Sequence, residues 1–85
     1  MTIVPSLRFK KDLANLLGKD GKYLQKTAKC LRLLSENLNH PSLRLHKLVG
    51  SEIYSVSVDM KIRILIQIDS REIHLLRVGT HDEVY

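Results

Sequence analysis

The sequence predicts an α+β fold. Three observations carry this. Apolar residues recur with helical spacing in the first half of the chain and with two-residue alternation in the second half. Glycine and proline mark the change from one regime to the other. All of it fits one domain over residues 1–85.

"TIVP" reads as a short β-like lead-in that Pro5 ends. Ser6 is placed as the N-cap of a helix running to about Leu17. Phe9, Leu13, Leu16 and Leu17 stand at i, i+4, i+7 and i+8, which makes one apolar stripe. Gly18 and Gly21, in "GKDG", supply C-cap and turn chemistry. A second helix is expected from about Lys22 to Asn37, burying Leu24, Ala28, Leu31, Leu34, Ser35 and Leu38. Lys22, Lys26, Lys29 and Arg32 then line up near the opposite side as a basic stripe. Like charges at this spacing cost a few tenths of a kcal/mol per pair, which a bound anion or plain solvation would offset.

"NHPSLRLHKLVG" is a connection in which Pro41 blocks further helix and Gly50 ends the segment. Three strands follow. "EIYSVSV" sets Tyr54, Val56 and Val58 against Ile53, Ser55 and Ser57. "KIRILIQI" sets Ile62, Ile64, Ile66 and Ile68 against Lys61, Arg63, Leu65 and Gln67. "EIHLLRV" is nearly apolar throughout. The links "VDMK" and "DSRE" are short enough for hairpins. The expected architecture is an antiparallel β-meander with a two-helix hairpin on one face and the N-terminal strand on an edge. The four isoleucines of the middle strand lie under the helices. Arg63 then stands mid-strand on the open face, where a guanidinium suits bidentate contact with a phosphate.

Composition bounds the function. The chain has 85 residues, of which 44% are hydrophobic, with one Cys, no Trp and one Phe, so the core is aliphatic and thin. A lone Cys30 makes no internal disulfide and points to a reduced, cytoplasmic setting. No apolar run approaches about 18 residues, so a membrane span is not expected. The formal charge is +5. It is uneven: residues 1–47 carry ten basic against three acidic side chains, 10 − 3 = +7, and residues 48–85 carry four against six, 4 − 6 = −2. A basic half fits a polyanion such as RNA or DNA, or simply a solvated face. The four histidines and one cysteine show no close ligand spacing, so neither a metal nor another cofactor is expected.

The order of elements, with "HPSLRLHKLVG", "IYSVSVDMKIRILIQID" and the closing "LLRVGTHDEVY", resembles the RelE/ParE superfamily of bacterial type II toxins. Its RelE/StbE and YafQ-like mRNA-cleaving members are the nearest in pattern. The resemblance covers essentially the whole chain and is most specific in the tail. It implies a RelE-like fold and a metal-independent endoribonuclease, an mRNA interferase. Such a toxin enters the ribosomal A site, cuts mRNA there and stops translation, and its cognate antitoxin blocks it.

The reaction the resemblance implies is attack of a ribose 2′-OH on the adjacent phosphate, leaving a 2′,3′-cyclic phosphate. It needs a base, a cation for the developing charge and an acid for the leaving oxygen. His81 matches the histidine of the YafQ-like tail, and imidazole exchanges protons near neutral pH. Tyr85 matches the terminal aromatic position, able to stack on a base or orient the phosphate. Arg63 matches a mid-strand arginine and would hold the scissile phosphate. His46 matches a loop histidine and is a second proton-transfer candidate, with acid and base left open between the two. Arg44, Lys47 and Lys61, with Lys22, Lys26, Lys29 and Arg32, are expected to hold RNA phosphates, those of rRNA included, without reading sequence.

The pattern also departs from the family. Ser55 and Ser57 stand where RelE-like members keep lysines, and Val58 and Lys61 stand where YafQ-like members keep a second histidine and an aspartate. Two alternatives therefore stay open: a ParE-like, non-catalytic inhibitor of DNA gyrase, and a catalytically weakened RNA-binding relic. Asp82 is read as an orienting group for His81. His40 and His74 are read as structural.

Overall fold

Ser6 starts the first helix as expected. Its backbone is extended, and its hydroxyl accepts the Phe9 amide at 3.0 Å. In the computed structural model, which describes residues 1–85, the elements run β1 (Thr2–Pro5), α1 (Leu7–Lys19), α2 (Tyr23–Glu36), β2 (His46–Lys47), β3 (Ile53–Ser57), β4 (Ile62–Ile68), β5 (Glu72–Thr80) and α3 (His81–Val84). A single 3₁₀ turn, Pro41–Leu43, lies between α2 and β2. Helix α1 runs through Gly18 and is capped at Asp20, two to three residues beyond the expected end. Asp20 also accepts the Lys22 amide, so the turn into α2 rests on an aspartate as well as on glycines.

The sheet has the order β1-β5-β4-β3-β2. Strands β2 to β5 are antiparallel, and β1 joins the β5 edge in parallel. This is the expected meander with its added N-terminal strand, and the parallel pairing makes the sheet mixed. A β-bulge between Leu65 and Ile66 shifts the β4–β5 register. Strand β2 was not expected: its two residues lie inside the segment read as a connection.

One apolar cluster fills the space between sheet and helices. Phe9 and Leu16 come from α1, and Cys30, Leu33 and Leu34 from α2. Val56, Ile62, Ile64, Ile66, Ile73, Leu75 and Val78 rise from the sheet, with Leu43 closing one side. The isoleucine row of β4 therefore faces the helices as its alternation predicts.

The buried face of α2 differs from the expected one. Thr27, Cys30, Leu33 and Leu34 are buried, Leu24 is 59% exposed, and Ala28 and Ser35 are exposed. The face is rotated because Tyr23, Thr27, Cys30 and Leu34 form a better-spaced stripe (i, i+4, i+7, i+11), which a count of leucines alone overlooks. The rotation brings Lys26 and Lys29 of the basic stripe beside the β3–β4 turn. Lys26 reaches the β3–β4 turn and pairs with Asp59 at 3.0 Å. Asp59 also accepts the Lys61 and Ile62 amides at 2.8 Å. Burial works against its charge, but the two amides and Lys26 outweigh that and hold the carboxyl below its ordinary value.

Candidate functional site

The chain ends on a short helix. β5 continues through Gly79 to Thr80, and a capping box then opens α3: Thr80 Oγ1 accepts the Glu83 amide, and Glu83 accepts the Thr80 amide at 2.9 Å. The Thr80 amide first, then the Thr80 side chain and Lys19, hold the Glu83 carboxyl below its ordinary value. Gly79 has a structural reason: a Cβ there would lie 3.0 Å from Glu83 Oε1 and 3.2 Å from Val84 Cγ1. A side chain there would push α3 outward by a few tenths of an ångström.

Register decides which side chains meet. On β4 the residues facing away from the helices are Arg63, Leu65 and Gln67. Arg63 is paired with Ser57 and Gly79, and Leu65 with Ser55 and Arg77. Ser55 is paired in turn with His46. Opposite residues of an antiparallel pair share a face, with Cβ atoms about 5 Å apart. His46, Ser55 and Leu65 therefore form one row across three strands, and Arg63 stands in the next row. The short β2, absent from the sequence reading, is what puts His46 there. Lys47 is paired with Tyr54 and so belongs to the helix side of the sheet, within 3.8 Å of Glu52.

α3 folds over this face. The Tyr85 hydroxyl donates to Ser55 Oγ at 2.6 Å. The Tyr85 ring meets the His81 imidazole edge to face, with centroids 4.2 Å apart. Asp82 stands 3.6 Å from His81 Nδ1, both side chains being exposed. Arg63 has no carboxylate partner, and its buried Nη1 has no acceptor. Arg63 forms no ion pair with Asp82, Glu83 or Glu72. An unpaired guanidinium nitrogen held out of water is costly unless an anion meets it.

The structure therefore brings His46, Arg63, His81 and Tyr85 to one face, and it adds Ser55, which sequence reasoning treated only as a missing lysine. The signal was available in its place on β3 opposite the chain end, but its partner is set by tertiary structure. The wider basic set is divided. Lys22 pairs with Asp20 and Arg32 with Glu36, both at 3.4 Å, and Lys26 is taken by Asp59. Lys29 and Lys61 make no ion pair and flank the β3–β4 turn, at the same end of the sheet as α3. Arg44 is exposed with a left-handed backbone (φ 47°), and its carbonyl lies 3.4 Å from His46 Nδ1.

Asp69, Glu72 and His74 converge within 4.8 Å at the β4–β5 hairpin, the opposite end of the sheet. Asp69 Oδ1 caps the turn and its other oxygen meets His74 Nε2 at 3.0 Å, an ordinary hairpin contact.

A two-helix hairpin on a meander, an N-terminal strand beside β5 and a short C-terminal helix folded over the open face define the RelE-like fold. The chain has the fold of the RelE/ParE-like toxins of toxin–antitoxin systems. It is similar to YafQ from E. coli strain BL21(DE3), at 24% identity and a TM-score of 0.83, over 98% of this chain and 96% of that one. It is similar to a chain of the E. coli DinJ–YafQ complex at 25% identity, with a TM-score of 0.83 and the same coverage of 98% and 96%. It is also similar to a metal-bound toxin from Helicobacter pylori, at 26% identity and a TM-score of 0.76, over 100% and 99% of the two chains. No protein-family model matches the sequence, and no curated protein matches it. No helix is long and apolar enough to cross a membrane.

Proposed function

We propose that this protein is the toxin of a type II toxin–antitoxin system and that it cuts mRNA on the ribosome. The observation that carries this reading is the open face itself. It holds an unpartnered, partly buried Arg63 and a His81–Tyr85 pair carried over the sheet by α3. A cation that lacks an acceptor, on the same face as an exposed imidazole, fits a phosphodiester better than a protein surface.

In the reaction, one imidazole takes the proton of the ribose 2′-OH as its oxygen bonds to phosphorus. Arg63 holds the non-bridging oxygens as charge builds. The bond to the 5′-oxygen breaks, and an acid returns a proton to it. The products are a 2′,3′-cyclic phosphate and a 5′-OH. His81 and His46 are the proton-transfer groups, and Tyr85 stacks on a base or orients the phosphate. No metal takes part in this scheme. Lys61, Lys29 and Arg44 hold neighbouring phosphates, with lesser parts for Lys22, Lys26, Arg32 and Lys47, whose charges are partly met by acids. Ser55 and Ser57 in the place of lysines make the site depend on the ribosome for part of its geometry. The partners are the A site, mRNA and a cognate antitoxin, and the compartment is the cytoplasm. The E. coli toxin YafQ has been solved bound to the antitoxin DinJ, which supports an antitoxin partner here.

The test is a reconstituted translation system with a defined mRNA, given metal-stripped protein with Mg²⁺ as the only added divalent ion. Primer extension should find cuts inside translated codons, with cyclic-phosphate ends, that His81→Ala and Arg63→Ala abolish. Inhibition of gyrase supercoiling with intact mRNA would overturn the reading in favour of a ParE-like toxin.

A further inference from the structure

Ser55 is fully buried. It lies in the middle of a row between His46 and Leu65. A hydroxyl there needs a partner, and the Tyr85 hydroxyl supplies one at 2.6 Å. The contact joins residues 30 apart in sequence. It is also one of the contacts that place α3. A helix of four residues has no stability of its own, so its place depends on its anchors. Within the helix, Val84 is buried and the Glu83–Lys19 pair is exposed at 3.4 Å. Beyond it, only the Tyr85–Ser55 bond ties the chain end to β3. The held Tyr85 ring is in turn the surface against which the His81 imidazole rests, 4.2 Å between centroids.

We propose that Ser55 is a positioning residue. Its hydroxyl holds Tyr85 down, and the held ring fixes His81 over the open face. The phenol hydroxyl is engaged by Ser55. Tyr85 then serves as a wall for the imidazole, and proton transfer falls to the histidines. The structural part stands on the geometry alone, while its effect on cleavage rests on the function proposed above.

Two measurements on Ser55→Ala, Tyr85→Phe and the double variant test this. The first is the NMR shift of the His81 ring protons, displaced by the nearby aromatic ring in the wild type. That displacement should shrink in both single variants, with no ribosome present. The second is cleavage of mRNA on ribosomes. Each single variant should lower kcat by roughly 5-fold, as expected for one lost hydrogen bond, with KM unchanged. The double variant should fall no further than either single one. Tyr85→Phe, at a half-exposed side chain, keeps the test open if Ser55→Ala does not fold. An unchanged His81 shift in the variants would overturn the proposal. So would a loss in Tyr85→Phe far larger than in Ser55→Ala, which would place the phenol on the substrate. If the wild type does not cut RNA at all, the functional reading falls, and the NMR shifts still decide the positioning.

Discussion

Asp12 and Arg77 join α1 to β5 through a forked ion pair. Arg77 Nε donates to Asp12 Oδ2 at 2.9 Å, Nη2 donates to Oδ1 at 3.3 Å, and the Val78 amide adds a third bond at 3.2 Å. Only 11% of the Asp12 side chain is exposed, so the carboxylate is held mostly by the protein. This contact docks the first helix along the strand that leads into α3.

Asp12→Ala should destabilise the protein by about 2 kcal/mol, the scale for removing a charged hydrogen-bonding group. The effect depends on pH with a definite sign. Burial would raise the Asp12 carboxyl, but Arg77, the Val78 amide and Arg8 outweigh it and hold the value below the ordinary 3.8. A depressed carboxyl contributes its full stability above the unfolded value and loses it as pH falls through the folded one. Urea unfolding of wild type and variant should differ at neutral pH, and the two curves should converge well below the ordinary carboxyl value. A constant gap across that range would rule out the charge as the cause.

Arg63→Met should separate stability from function. It removes a buried guanidinium nitrogen that has no acceptor and keeps an apolar chain of similar length. Stability should rise by about 1 kcal/mol, while cleavage on the ribosome is lost. Thermal melts and the primer-extension assay read the two effects separately. A variant that melts lower than wild type would show that Arg63 has a structural partner.

His81→Gln should lower cleavage by about 10²–10⁴-fold, the usual size of a lost proton-transfer group. The side chain is exposed, so stability should stay within about 0.5 kcal/mol. Retained cleavage would shift the proton transfer to His46.

Gly79→Val should unseat α3 and leave the sheet in place. Its Cβ would press on Glu83 and on Val84 Cγ1. The flexible carboxylate can turn away, but the buried Val84 cannot, and the added methyls sharpen the clash. Amide exchange should quicken in residues 80–85 and stay slow in β3 and β4. Unchanged protection at the chain end would contradict this account.

Cys30 should be inert in the folded protein. Burial pushes its thiol up to about 12, so almost no thiolate forms near neutral pH. Alkylation by iodoacetamide should follow global unfolding and speed up with denaturant. Rapid labelling in native buffer would mean that α2 opens by itself.

Much of the fold was legible because its elements are simple. The isoleucine alternation on β4, the Ser6 cap and the stripe of α1 each follow from local spacing, and each forms where that spacing puts it. α2 was rotated because its buried side uses Tyr23, Thr27 and Cys30, which carry weak hydrophobic signals one by one. β2 was missed because two residues have no period to read. No element was expected after β5 because Gly79 normally breaks structure, whereas here it makes room for a helix.

The sequence by itself determined the class of fold, the core row of β4 and the basic bias of the first half. Those are matters of residue type and near-neighbour spacing, which local physics settles. Tertiary structure alone decided the rest: that Arg63 has no partner, that His46 shares a row with Ser55, that Lys47 does not, and that Tyr85 is tied to Ser55. Each of these depends on strand register or on a contact between distant residues. A shift of one residue in register turns every side chain to the other face of the sheet.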